Sequence, residues 1–532
     1  MATTGQQRVR RSLAELQDQY ANGNKKPLED VMRAWKGIKE LPPDDPRSFF
    51  NLGGYHGEPF RGAGWGFGNN TFWGGYCNHG NVLFPTWHRA YLLKLEEAMR
   101  SIAGCETVTL PYWDETDSAS LAGGIPWALT VETVELDGKP VPNPLRSFAF
   151  PVTITDNVST DDGLYTKASG YETVRFPFSG LVGTDAAKKA SQQHNSQWTA
   201  AQGVQLLNQN VVNWLTLATV NIPPDGTNPS GPIPAGVHQQ FIDCLNAPNY
   251  TVFSNTTSMQ QWNELHDASV VALEAPHNSI HLAVGGYDVT TVAGQDGDAS
   301  PIVGANGDMG ENDTAALDPI FYFHHANIDR VFWLWQQKWG KTDALDIIGG
   351  YPGTNSSDNQ GATPGVPPNT WLTLETPLNP FSRAVDGHDK VYTSLDCINI
   401  EKQLNYTYSA GSLQEGPRAM AAAPGRSRKV VHVSGINRAP IKGSFLVAVY
   451  ATIDGKKHLV GINAVLSRWA VAGCANCQTH LDVKSAFSLS HLPEALVNRA
   501  TFEVKVVVKS SNHQALASNA DAAKKPARIE VR

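Results

Sequence analysis

Several of the chain's 16 histidines lie inside segments that are apolar, rich in aromatic residues and of helical periodicity. The clearest segment, DPIFYFHHANIDRVFWLW, begins at Asp318 and places His325 and Asp329 on the same face of a helix. Because a buried imidazole without a partner costs free energy, a fold that packs this helix must supply one. Asp329 is one candidate partner for His325, and a bound metal ion is the other.

A second segment, PHNSIH, places His277 and His281 one helical turn apart, so both rings project from one face. This spacing suits two ligands of one metal ion, and it also occurs by chance on surface helices. In a zinc protease helix a glutamate follows the first histidine. Asn278 occupies that position here, which excludes this class of enzyme.

A third segment, CNHGNVLFPTWHRAYLLKLEE, contributes two more histidines, and a Gly-rich stretch upstream contributes another. Imidazole-only ligand sets favour copper, zinc or iron over calcium and magnesium, and three nitrogen donors per metal leave positions open. Each ligand needs an acceptor for its second ring nitrogen. We consider Asp329, Glu96 and Asp114 for that role, and for Asp329 and Glu96 we favour the alternative of a plain ion pair to Arg89 or Arg330. The two predicted sets are His56, His79 and His88, and His277, His281 and His325.

The chain divides by composition into a long helical part and a shorter β-rich part. Residues 7–408 contain predicted helices at 30–38, 87–102, 270–284 and 318–339, separated by long loops. Residues 409–428 have linker composition. Residues 429–510 contain β-branched, partly alternating runs that predict a small all-β sandwich domain, with strands in KVVHVSGI, SFLVAVYATI, KHLVGINAVL and TFEVKVVVK. We expect residues 511–532 to be a flexible tail.

The formal net charge of −8 gives no reason to expect nucleic acid or an anionic membrane as a partner. No apolar run is long enough to span a bilayer, and six cysteines are too few for a disulfide scaffold. The N-terminal stretch has arginines without an apolar core behind them, so it is not a secretory signal. We therefore expect a cytoplasmic location, unless a leader has been removed.

Two long motifs resemble the copper signatures of one family. The stretch HGNVLFPTWHRAYLLKLE, from His79 to Glu96, resembles the first signature of the tyrosinase and polyphenol oxidase family. The stretch DPIFYFHHANID, which starts at Asp318, resembles the second. With PHNSIH and LPYWD, which starts at Leu110, these motifs span the part of the chain from about residue 7 to 408.

The resemblance implies a mainly α central domain whose four-helix bundle holds two copper ions, with O2 as co-substrate and small phenols as substrates. In the family pattern the second histidine of the HH pair is the ligand, so His324 is a packed neighbour of the site. The implied ligands are His56, His79 and His88 for the first copper (CuA), and His277, His281 and His325 for the second (CuB).

Three further residues receive roles from the resemblance. Glu274 matches the acid that holds an active-site water, and Asn278 matches the residue that helps to activate it. The pair favours monophenol hydroxylation as well as diphenol oxidation, and the alternative for Glu274 is a solvated helix residue. Asn312 matches the gate position, which we expect beside CuB; a polar residue there departs from the usual apolar one.

Cys77 and His79 resemble the Cys–His thioether pair of fungal, plant and molluscan members, and the alternative is a free buried thiol. A covalent bond would fix the ring of His79 and restrain the site.

The β-rich domain resembles the shielding domain of latent polyphenol oxidases and of molluscan haemocyanin, which covers the copper site. The resemblance gives Leu466 or Trp469 as the side chain inserted over the site. Cys474 and Cys477 match a CxxC that is associated with copper loading in fungal relatives, and a small disulfide or an inert reduced pair are the alternatives.

The resemblance also pairs Arg10 or Arg11 with Tyr406 or Tyr408, where the core closes. It implies a monophenol and o-diphenol oxidase that forms o-quinones. The alternatives are a catechol or o-aminophenol oxidase without monophenolase activity, and a haemocyanin-like O2 carrier. Haemocyanin units usually occur in tandem arrays, and the single unit here favours the enzyme.

Overall fold

The structure, a computed structural model, describes residues 7–57, 75–154, 166–180, 182–222, 231–289, 307–360, 363–413, 427–441, 443–467, 481–508 and 527–532. Over these residues the chain is a mixture of helices and strands. The helices are α1 Leu13–Ala21, α2 Lys26–Glu40, α3 Phe49–Gly54, α4 Phe84–Arg100, α5 Ser118–Gly123, α6 Asp185–Asn195, α7 Ala200–Thr216, α8 Val237–Cys244, α9 Tyr250–Ser254, α10 Thr256–His266, α11 Glu274–Gly285, α12 Ile320–Lys338 and α13 Glu494–Val497. The strands are β1 Arg8–Arg10, β2 Thr133–Leu136, β3 Lys139–Pro142, β4 Ala218–Val220, β5 Pro232–Pro234, β6 Pro377–Val385, β7 His388–Thr393, β8 Tyr406–Tyr408, β9 Val430–Asn437, β10 Phe445–Ile453, β11 Lys456–Val465, β12 Asp482–Ser488, β13 Thr501–Val508 and β14 Arg528–Val531.

The four helices predicted from the sequence are present as α2, α4, α11 and α12. Pro319 precedes α12, and the carboxylate of Asp318 accepts a hydrogen bond from the amide of Ile320 at 3.1 Å, which helps to start the helix. Every residue of α12 from Ile320 to Trp333 is buried, because the helix packs on both α4 and α11. A helix that is covered on all sides belongs to the core, and α12 is the central element of this one.

The two ends of the helical part meet in a short parallel sheet, in which β1 pairs with β8. The Arg10 guanidinium lies over the ring of Tyr406 at 3.8 Å and donates to the hydroxyl of Tyr408 at 3.2 Å. Arg11 instead donates to Gln19. Arg10 is thus the arginine of the predicted arginine–tyrosine pairing, and it contacts both tyrosines.

Six strands after residue 427 form two three-stranded sheets, in the orders β11-β10-β13 and β12-β9-β14. Val431 and Val433 of β9 share one hydrophobic core with Phe445, Val447 and Val449 of β10. We call residues 427–532 the β unit and residues 7–413 the helical unit.

Strand β10 is buried on both faces, which explains its continuous apolar run. Phe445, Val447 and Val449 point into the core of the β unit. The residues that alternate with them, Leu446, Ala448 and Tyr450, join the core of the helical unit. The two units therefore meet through an apolar sheet face.

Two strands of the β unit were not predicted from the sequence. The expectation of a flexible tail is wrong for Arg528–Val531, because these residues form β14, which pairs antiparallel with β9. Strand β12 was also missed, since DVKSAFS is short and half polar. Both strands are fixed by pairing with β9 across a long sequence separation, which local patterns do not reveal.

Candidate metal centre

All six predicted ligands are buried in the helical unit. His56 follows α3, His79 lies in the loop before α4, and His88 is in the first turns of α4. Helix α11 carries His277 and His281, and α12 carries His325.

The rings form two compact sets. We call His56, His79 and His88 the first histidine group, whose ring centroids are 5.2, 5.5 and 5.2 Å apart. His277, His281 and His325 are the second histidine group, with centroids 4.5, 4.8 and 5.7 Å apart.

The two groups adjoin each other at His325. Its Nε2 lies 3.2 Å from Nε2 of His277 and 3.4 Å from Nε2 of His281. Its ring also stacks on that of His88 at 4.5 Å. Ring nitrogens of His277, His281, His324 and His325 lie within 4.8 Å of one another, as do those of His56, His88 and His325. Each of these clusters is compact enough to hold a metal ion, and the two share His325.

The outer ring nitrogens of three ligands have well-placed partners. Nδ1 of His88 lies 2.8 Å from the Phe84 carbonyl oxygen, and Nδ1 of His281 lies 2.8 Å from that of Met309. Nδ1 of His277 lies 2.9 Å from Oδ1 of Asn278. Donation from Nδ1 leaves the Nε2 lone pair for a metal.

None of these acceptors is one of the three carboxylates that we considered from the sequence. Asp329 forms the favoured ion pair with Arg89, whereas Glu96 pairs with Arg10 and not with Arg89 or Arg330. Asp114 accepts from Thr116 and Ser412. Two of the three actual acceptors are backbone carbonyls, which have no sequence signature.

The Met309 carbonyl reaches His281 because two glycines allow a close approach. A Cβ atom at Gly285, in the last turn of α11, would lie 1.8 Å from the backbone nitrogen of Gly310. Any side chain at position 285 would push the 308–310 turn away from His281.

The electrostatic state of the rings fits a transition metal. Burial lowers the pKa of His88 and of His281 to about 3. It also lowers the pKa of His277 and His325 well below the ordinary value. Neutral imidazoles are the form that coordinates a metal. Among the described residues, Nε2 of His88 has no hydrogen-bond partner although it is buried. An all-imidazole donor set of this kind fits copper.

Glu274 and Asn278 lie at the N-terminal end of α11, beside the second histidine group. Glu274 is fully buried, so it is not the solvated helix residue that we considered as the alternative. Its Oε1 accepts from the amide of Gly80 at 2.8 Å, and its Oε2 accepts from the amide and hydroxyl of Thr256 at 2.8 and 2.9 Å. Burial raises the pKa of Glu274, and these hydrogen bonds offset part of the rise.

Cys77 and Asn312 lie next to the first histidine group. The sulfur of Cys77 and ring nitrogens of His56 and His79 lie within 4.8 Å of one another. Asn312 is fully buried, and its Nδ2 donates to Sγ of Cys77 at 3.8 Å.

The expected position of Asn312 as a gate beside CuB stays a prediction, because this hydrogen bond fixes only its contact with Cys77. The segment that contains Asn312 packs on the chain around His56, where a Cβ atom at Gly57 would come within 2.1 Å of the Asp313 carbonyl oxygen. This packing brings Asn312 to the side of the first group.

Sequence reasoning missed a buried acid beside the second histidine group. Oε1 of Glu115 lies 2.6 Å from Nδ1 of His324, and its Oε2 accepts from Asn327 at 3.3 Å. The ring of His324 stacks on that of His277 at 5.3 Å. Glu115 directly follows the LPYWD motif, and an acidic residue in so apolar a segment could have indicated a buried acid near the site.

The β unit lies over this part of the molecule. A cavity of about 80 Å³ is lined by Gly80, Thr256 and Asn278 from the helical unit and by residues including Arg438 and Leu466 from the β unit. Leu466, one of the two predicted lid residues, is buried there. Trp469, Cys474 and Cys477 lie outside the described residues.

Two adjoining groups of three buried imidazoles form a site that could hold a pair of neighbouring transition-metal ions. Residues 46–338 match the model of the common central domain of tyrosinase. A tyrosinase of a Hahella species is 52% identical over 95% of this chain and 92% of its own length. A tyrosinase of Aspergillus oryzae is 45% identical over 88% of each chain. The solved structure of a tyrosinase from Burkholderia thailandensis at low pH has a TM-score of 0.86 and 49% identity, covering 99% of this chain and 100% of that one.

The chain belongs to the tyrosinase family. It is accordingly a copper-dependent phenol oxidase. Within the described residues, no helix combines the length and the apolar character that crossing a bilayer requires.

Proposed function

We propose that this protein hydroxylates monophenols and oxidises o-diphenols to o-quinones with O2, using copper held by the first and second histidine groups. When bound, copper polarises oxygen and the phenolic oxygen. The observation that carries the proposal is that six buried imidazoles lie together beside the N-terminal end of α11, where the buried side chains of Glu274 and Asn278 are located.

We also propose that α2, α4, α11 and α12 form a four-helix bundle around the two metal positions. The support is the pairwise packing of α4 on α2 and on α12, and of α11 on α12. Rigid helices hold imidazoles more precisely than loops would. Of the six predicted ligands, four lie in helices, and His56 and His79 lie in loops.

Monophenol hydroxylation needs a base because a free phenol has a pKa of about 10. We assign this task to Glu274, acting through a water that Asn278 helps to orient. A carboxylate oxygen has about two lone-pair sites, so Oε1 of Glu274 can accept from a water in addition to the Gly80 amide. Asn278 lines the cavity of about 80 Å³ together with Gly80 and Thr256, the two partners of Glu274, and its Oδ1 lies 2.9 Å from Nδ1 of His277.

Replacing Glu274 by glutamine tests this role. The variant keeps the shape of the side chain and loses the base, so we expect monophenol turnover to fall by roughly a hundredfold. Catechol oxidation should fall far less, because a catechol is the more acidic substrate and needs less help. Oxygen uptake with L-tyrosine and with L-DOPA measures both rates. Glu97→Gln, on the exposed face of α4, is the control. Equal losses on both substrates would contradict the role.

We propose that the β unit is a lid that keeps the enzyme latent. Its support is the cover that Leu466 and Arg438 give to the cavity beside Asn278. The hydroxyl of Tyr287 donates to the Ser444 carbonyl, and the Ser444 hydroxyl donates to the Gly310 carbonyl at 2.9 Å. These contacts tie the lid to the turn that holds His281.

Proteolysis within residues 409–428 should raise turnover. The linker keeps the β unit at a high effective concentration, and cutting it allows the unit to leave, so we expect a rise of roughly tenfold or more. Catechol turnover is measured before cleavage and again after the β fragment has been separated by size exclusion. If the separated helical unit turned over catechol only as fast as the intact chain, the lid role would be wrong.

We further propose that Cys77 forms a thioether with His79 in the mature enzyme. The support is the proximity of the buried sulfur to the His79 ring. Such a bond would hold a ligand that comes from a loop as firmly as those on the helices.

A further inference from the structure

The loop that carries Cys77 and His79 is held by two buried asparagines from distant parts of the chain. The side chain of Asn359 spans the loop, with Nδ2 donating to the Cys77 carbonyl at 3.1 Å and Oδ1 accepting from the His79 amide at 3.0 Å. Asn312 contacts the sulfur itself, through the N–H···S hydrogen bond of 3.8 Å. The backbone of the loop and the direction of Sγ are therefore fixed separately.

This arrangement is unusual for a plain packing contact. Asn312 is fully buried, and within the described residues its Oδ1 has no hydrogen-bond partner, whereas its Nδ2 donates to the sulfur of Cys77. A buried amide costs free energy unless its hydrogen bonds are made. An apolar residue would fill the same space without that cost, so the amide is better explained by what it does to the sulfur.

We propose that Asn312 is a positioning residue for the Cys77–His79 thioether, holding Sγ toward the His79 ring while Asn359 clamps the loop. The inference rests on the proposed copper oxidase function, because the bond requires an oxidant. A bond forms between Sγ of Cys77 and Cε1 of His79, and the S–H and Cε1–H bonds break. The two electrons and two protons released reduce one O2 to hydrogen peroxide.

The test follows the bond itself rather than turnover. The full chain is prepared without copper, loaded with copper in air, and sampled over time. Trypsin releases residues 62–89 as one peptide, since no lysine or arginine lies between Arg61 and Arg89. The cross-linked peptide is lighter by two hydrogen atoms and does not react with iodoacetamide. Copper content and oxygen uptake with L-DOPA are measured on the same samples.

We expect Asn312→Leu, which keeps the number and branching of the side-chain heavy atoms and loses the donor, to slow cross-linking by roughly fivefold per bound copper. Asn312→Ala, which avoids crowding, should slow it similarly, and it replaces the leucine variant if that variant fails to fold. Asn327→Leu is the matched control. It removes a buried amide that donates to Glu115 beside the second histidine group, and it should leave the cross-linking rate unchanged.

A wild-type rate in the Asn312 variants would overturn the proposal, as would equal slowing in Asn327→Leu, which would indicate general loosening of the site. A wild-type chain that oxidises L-DOPA without cross-linking would overturn this inference and leave the proposed function standing. A chain that takes up copper and neither cross-links nor oxidises L-DOPA would overturn both.

Discussion

Replacing His325 by alanine is expected to remove copper from the second histidine group and to abolish phenol oxidation. His325 is the residue at which the two groups meet, with its Nε2 3.2 Å from that of His277 and its ring stacked on His88. Metal polarisation is worth several kcal/mol, and each ~1.4 kcal/mol is tenfold in rate, so turnover should fall by on the order of a thousandfold. Copper analysis of the loaded protein and oxygen uptake with L-DOPA measure the two effects.

The neighbouring His324 provides a matched control within the same pair of residues. It is equally buried, but its Nδ1 lies against Glu115 and its ring packs on His277. We expect His324→Gln to retain both copper ions, with affinity reduced by roughly ten- to a hundredfold because a supporting contact is lost. Copper loss in His324→Gln with full retention in His325→Ala would contradict the ligand assignment.

Replacing Asp329 by asparagine is expected to destabilise the helical unit by about 3–5 kcal/mol, since it leaves the buried Arg89 without its counter-charge. Oδ1 of Asp329 accepts from Arg89 at 2.5 Å, and Oδ2 accepts from the hydroxyls of Tyr406 and Tyr408, each at 2.6 Å. Oδ2 also lies 3.4 Å from Arg10. The carboxylate thus joins α12, α4 and both ends of the helical unit. Urea unfolding of the copper-free protein, followed by tryptophan fluorescence, measures the change.

The pH dependence of this contribution has a definite sign. Arg89 and Arg10 hold the pKa of Asp329 below its ordinary value against the opposing effect of burial. Its stabilisation is therefore complete above the unfolded pKa of about 3.9 and is lost as the pH falls through the folded pKa. Asp343→Asn, at an exposed ion pair with Lys402, is the control and should leave the urea midpoint unchanged. An Asp329→Asn midpoint equal to the wild-type value would show that the network is dispensable.

The positions of four helices and the histidines that cluster were predictable, because they depend on local periodicity and on a residue type that few apolar segments contain. The apolar period and Pro319 predicted α12, and the paired spacing of His277 and His281 predicted two ligands on one helical face. Asp329 shows the limit of this approach. Its spacing from His325 was equally consistent with a hydrogen bond between the two side chains. In the structure the carboxylate of Asp329 instead accepts hydrogen bonds from Arg89 and Tyr406, which are more than 70 residues away in the sequence.

The supporting contacts of the site could not be predicted for a physical reason. The acceptors for His88 and His281 are the carbonyls of Phe84 and Met309, and every residue type has the same carbonyl. The contact of Asn312 with Cys77 could not be predicted, because it depends on how the segment that contains Asn312 packs against Gly57. Strand β14 depends in the same way on pairing with β9.

The most direct measurement is oxygen uptake by the copper-loaded chain, freed of its β unit by cleavage within residues 409–428, with L-tyrosine and L-DOPA in turn. We predict turnover of both substrates at a copper content of two ions per chain. Turnover of L-DOPA alone would contradict the monophenolase roles given to Glu274 and Asn278. No uptake with either substrate, at full copper content, would contradict the oxidase function itself.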